Sequence, residues 1–139
     1  MIDVEAIHIE AKRLRSCEFL TGNENFEELA EMLFTPQGIE FCKTHKFPKM
    51  DLLLPLKGDE AESKGIYINT RVEEKNINMI ALFGPKTEAV LEFDKTEGFQ
   101  VIVMHGARVK IIAREYAVVF LTSVGGHVEL EITGNAKIL

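Results

Sequence analysis

The sequence predicts an α+β chain: a short N-terminal helical segment over residues 1–48, then an all-β body over 49–139 that is β-solenoid-like, with an antiparallel β-sandwich as the alternative. Two observations carry this. Before Pro48 the apolar residues recur at helical spacing, and start and stop signals bracket them. After residue 80 short apolar runs begin at Ile80, Ala89, Val101, Val109, Ala117, Val128 and Lys137, six steps over 57 residues with a mean of 9.5.

Val4, Ile7, Ala11 and Leu14 fall on one helical face. Asp3 and Glu5 lie at its start and Lys12, Arg13 and Arg15 toward its end, which suits the helix dipole. Thr21-Gly22-Asn23 stops this helix. Asn25 with Glu28 has capping-box spacing and opens a second helix through Phe26, Leu29, Ala30 and Leu33. Thr35-Pro36 opens a third, through Ile39, Phe41 and Cys42, which must end near Phe47-Pro48.

Beyond Pro48 the alternation of Leu52, Leu54 and Leu56, and of Ile66 and Ile68, predicts strands. Residues 57–65, from Lys57 to Gly65, read as a polar, mobile loop. In the body, Ala89–Phe93 and Val128–Ile132 alternate, whereas Val101–Met104 and Ala117–Leu121 are continuous. The breaks at Gly84-Pro85, Asp94–Gly98, His105-Gly106 and Gly134-Asn135 are weak as hairpin turns, and only Gly125-Gly126 is a strong one. Regular spacing with weak turns favours a solenoid, expected to have three short strands per coil and two to three coils. Clean alternation with tight turns would favour the sandwich.

A net charge of −6 in 139 residues, unevenly spread at −4 over residues 1–48 and −2 over the rest, excludes a broadly basic nucleic-acid-binding surface. Two cysteines make no disulfide framework. The acidic start Met1-Ile2-Asp3-Val4-Glu5 lacks the basic region of a signal peptide, and no apolar run reaches the length of a membrane span. The expected setting is cytoplasmic, with no membrane partner.

The candidate chemistry is sparse. Cys42 and His45 stand three apart on the third helix, where a thiolate and an imidazole could share a metal with Cys17. Without paired cysteines the simpler expectation is a buried Cys42, a solvated His45 and no metal or cofactor. Cys42 as a nucleophile would need His105 or His127 as its base, and both read as surface turn residues. Arg108, Lys110 and Arg114 form the one basic cluster of the body and are candidate interaction residues. Arg108 and Lys110 share a strand face, and Tyr116 follows closely. Asp59, Glu60 and Glu62 lack the ligand spacing of a calcium loop. Gly84-Pro85-Lys86-Thr87 lacks that of a phosphate loop.

The stretches TPQGIEFCKTHKFP (35–48) and MHGARVKIIAREYAVVFL (104–121) resemble segments of a group of uncharacterised bacterial hypothetical proteins, and the resemblance implies no activity. The expected function is a non-enzymatic interaction or structural module, with no catalytic residues, that self-associates as a homodimer. Residues 128–139, ending in Ile138 and Leu139, are the expected contact. Two alternatives are a small enzyme or ligand binder using Cys42 and a nearby His, and a nucleic-acid-associated accessory protein using Arg108, Lys110 and Arg114.

Overall fold

A computed structural model describes residues 2–14 and 20–139. The second and third expected helices start where the capping residues place them, whereas the first ends at Arg13, short of the stop expected at Thr21-Gly22-Asn23. Helix α1 spans Glu5–Arg13 and buries Ile7 and Ala11. Helix α2 spans Phe26–Leu33 and starts at the capping box: the Asn25 side chain accepts the Glu28 amide while Glu28 accepts the Asn25 amide. Helix α3 spans Pro36–His45; the Thr35 hydroxyl accepts the Gly38 amide at its start, and Lys46 ends it in the left-handed region at φ 52°. Gly38 permits a close approach, because a Cβ there would sit 2.0 Å from the Met32 carbonyl oxygen.

The helical layer continues past residue 48. Helix α4 (Met50–Leu53) runs into a 3-10 turn at Leu54–Leu56, and helix α5 covers Asp59–Ser63. The strand expected at Leu52–Leu56 is therefore a correction. Leu53 and Leu56 are buried and Leu54 is half-exposed, a spacing of three that the leucine alternation conceals. The expected loop at 57–65 is also replaced by α5, which buries Ala61 completely.

The body consists of nine strands: β1 (Ile66–Ile68), β2 (Arg71–Lys75), β3 (Met79–Phe83), β4 (Glu88–Phe93), β5 (Gly98–Met104), β6 (Arg108–Ala113), β7 (Val118–Val124), β8 (His127–Ile132) and β9 (Lys137–Ile138). Odd strands form sheet A in the order β1-β3-β5-β7-β9 and even strands form sheet B in the order β2-β4-β6-β8. Every pairing is parallel. The chain is thus a β-solenoid behind a helical layer, and the antiparallel sandwich is excluded. Each coil holds two strands, which corrects the expected three. Paired residues in sheet A are offset by 21, 20 and 19 (Met79↔Gln100, Gly98↔Val118, Val118↔Lys137). The apolar runs therefore recur once per half-coil.

The breaks are arcs that carry the chain from one sheet to the other, which is why they are weak as hairpin turns. Left-handed residues re-aim the backbone at Asn69, His105 and Glu115. The wholly buried Thr87 hydroxyl donates to the Phe83 carbonyl to close the β3–β4 arc. At the β2–β3 arc the Asn76 side chain exchanges two hydrogen bonds with Asp94 of the next coil, at 2.8 and 2.9 Å.

Two cores follow from this layout. Inside the coils Ile80, Leu82, Leu91, Phe93, Phe99, Val101, Val103, Ile111 and Val119 pack between the sheets. Between sheet A and the helices lie Ile66, Ile68, Ala81, Phe83, Ile102 and Met104, with Phe26, Phe34, Cys42 and Leu53 from the helical side. Strand β5 is buried on both faces, which explains its continuous apolar run.

Candidate functional site

The outer face of sheet B is the most polar surface of the body. Parallel, in-register pairing aligns its side chains in rows. One row runs Arg71, Glu88, Arg108, His127; the next runs Glu73, Val90, Lys110, Glu129; a third runs Lys75, Glu92, Ile112, Glu131. Together the first two rows line a shallow groove of about 510 Å³. Arg108 and Lys110 share this face as expected, but they stand among carboxylates. Arg71 pairs with Glu88 at 3.3 Å, Lys75 with Asp94 at 3.2 Å, and Arg114 with Glu92 at 3.6 Å. Arg114 lies just past β6, in the arc, so the three cations do not form one patch. These exposed pairs contribute little to stability, and the face has no single-sign field to attract a polyanion.

Cys42 is buried in the helical layer, and burial pushes its thiol up to about 12. At neutral pH it is an uncharged thiol, without the thiolate that a nucleophile requires. His45 lies one turn on and packs its ring on Phe41 at 4.6 Å. Cys17 lies outside the described residues. Among the described residues no three His, Cys, Asp or Glu side chains gather into a metal-ligand set. An apolar cavity of about 80 Å³ sits beside Cys42, among Ile7, Leu29, Leu33, Phe41 and Phe47.

His105 is a turn residue, as its sequence neighbours suggest, but it is not a free surface group. Its Nε2 lies 2.6 Å from the Pro48 carbonyl oxygen, joining the β5–β6 arc to the end of the helical segment. His127 is exposed at the start of β8.

The two ends of the solenoid differ. At the first coil, Tyr67 and Glu74 occupy interior rows above Leu82 and Leu91. The Tyr67 hydroxyl donates to the Glu74 carboxylate at 3.2 Å, so this end carries a polar lid. Burial and the neighbouring Glu74 push the Tyr67 hydroxyl up to about 12, which keeps it a donor. At the last coil the interior rows continue as Val128, Leu130 and Ile132 on β8 and Ile138 on β9. Val128 and Ile138 are partly buried against the interior core, whereas Leu130 is 45% exposed and Ile132 46%. On sheet A the adjoining outer row ends in Phe120 and Leu139, at 48% and 65% exposure. Sequence reasoning placed the contact in residues 128–139, which include Leu130 and Ile132, and singled out Ile138 and Leu139, but treated Phe120 as an ordinary strand residue. Which of them lack a cover depends on which strand comes last in each sheet.

No family model, no curated protein and no solved structure matches the chain. Among the described residues no helix is long and apolar enough to cross a membrane.

Proposed function

We propose that this chain is a non-enzymatic structural or interaction module that associates with a second copy of itself through its last coil. The carrying observation is the contrast between the two solenoid ends, a Tyr67–Glu74 polar lid at one and bare Leu130 and Ile132 at the other. Stacking the bare end of one copy on the lidded end of another would bury Glu74 against Leu130, at the cost of desolvating a carboxylate. Stacking bare end on bare end buries apolar against apolar and closes after two copies. The buried thiol of Cys42 and the mixed charges of the sheet B face make a catalytic or polyanion-binding role the weaker reading.

Light scattering tests this. The full chain is expected to be a dimer at micromolar concentration. A chain ending at Thr133, and the full chain carrying Leu130→Asp and Ile132→Asp, are expected to be monomers. A monomeric full chain would remove the proposal.

A further inference from the structure

We infer that in this dimer β8 of each copy pairs with β9 of the other, so that sheet B of one molecule continues sheet A of the second and Lys137 lies opposite a carboxylate. The inference rests on the self-association proposed above and concerns its geometry. The chain runs along one sheet and returns along the other, because the short arc at Gly125-Gly126 joins two strands that face each other across a shared core. Strands of sheet A and sheet B therefore run in opposite directions within a coil. Two ways of stacking bare end on bare end by a two-fold axis follow.

With the axis along the sheet normal, β8 meets its own copy in antiparallel pairing. On β8, His127, Glu129 and Glu131 face outward and Val128, Leu130 and Ile132 inward. The registers that keep these faces and overlap the strand most centre on Glu129 or Leu130. The first sets Glu129 against itself; the second sets Glu129 against Glu131 on both sides of the axis. Like charges directly opposite one another destabilise a strand pair.

With the axis along the strand direction, β8 of one copy lies beside β9 of the other, again antiparallel and with outer faces together. On β9, Lys137 faces outward and Ile138 inward, in the row of Val119. Placing Ile138 opposite the second copy's Leu130 sets Lys137 opposite Glu131. Placing it opposite Val128 sets Lys137 opposite Glu129. Either register pairs apolar with apolar inside and cation with carboxylate outside, and the two-fold axis makes each contact twice. The first arrangement leaves Lys137 without such a role.

Lys137, Glu129 and Glu131 are all exposed, so charge reversal leaves the fold of each copy intact. Sedimentation over a concentration series reads the dimer dissociation constant, with circular dichroism as the fold control. Lys137→Glu is expected to weaken the dimer by about tenfold, through two lost pairs and two new repulsions. Adding Glu129→Lys and Glu131→Lys to the same chain is expected to restore it. A wild-type chain that stays monomeric overturns the self-association reading and this inference with it. A wild-type dimer that Lys137→Glu leaves unchanged, or that the triple reversal does not rescue, overturns the β8–β9 arrangement alone.

Discussion

Val119 and Glu129 occupy the two kinds of position a solenoid strand offers. Val119 sits in an interior row between Phe99 and Ile138 and is wholly buried. Val119→Asp places an unpaired carboxylate there and is expected to cost about 3 kcal/mol or more. Glu129→Ala, on the exposed face, should stay within about 0.5 kcal/mol. Urea melts of the two variants check the assignment of faces, and equal midpoints would refute it. Glu24 adds a pH dependence. Its nearly buried carboxylate accepts the Thr21 and Gly22 amides at 2.8 and 3.0 Å. Burial alone would raise its pKa, but the hydrogen bonds from Thr21, its own amide and Gly22 outweigh burial and hold it below the ordinary value. A group depressed in the folded state contributes stability above its unfolded pKa and loses it as pH falls through the folded one. The stability gap between wild type and Glu24→Gln should therefore close on acidification below about pH 4, as thermal melts would report. Cys42, held as a neutral thiol, should resist iodoacetamide until the protein unfolds; peptide mapping by mass spectrometry reads its labelling separately from Cys17.

At the scale of elements, local chemistry was legible wherever a side chain speaks to its own backbone. Asn25 with Glu28 and Thr35 with Pro36 placed the starts of α2 and α3 because each cap is completed within four residues. The segment from Leu52 to Leu56 misled because leucine at every second position satisfies a strand, while Pro55 and the burial of Leu53 and Leu56 belong to a tight helix. Paired substitutions separate the two patterns. Leu53→Ala should cost about 2–4 kcal/mol and Leu54→Ala within about 0.5, whereas a strand would charge Leu54 as heavily as Leu52. The half-coil spacing was legible as a mean step of 9.5, but the number of strands per coil was not. That number depends on which runs share a sheet, a long-range relation that the arcs do not encode. The continuous run Val101–Met104 carried a hint of it, since only a strand covered on both faces has no reason to alternate. The candidate site was legible as the segment 128–139, but that Leu130 and Ile132 are its exposed inward residues, while Val128 and Ile138 are partly buried, appears only once β8 is known to be the last strand of sheet B.

At the scale of the whole molecule, the helical layer is bound to the solenoid unevenly. It covers β1, β3 and β5 through Ile66, Ile68, Ala81, Phe83, Ile102 and Met104, reaches β7 through Val124, and is fastened by Gln100 donating to the Phe34 carbonyl, Lys57 donating to the Asn69 carbonyl and His105 on the Pro48 carbonyl. A stack of rungs that touch only their neighbours tends to fray from its ends, because each rung can open without disturbing more than one other. Here the first rungs are tied together by a shared apolar layer and the last are not. Amide hydrogen exchange should therefore rank the strands by position: slowest in β3 and β5, intermediate in β7, fastest in β8 and β9. Dimerisation through the last coil would lift protection at β8 and β9 in proportion to protein concentration while leaving β3 and β5 unchanged, so the molecule would close like a zip whose open end is sealed only when it finds a second one.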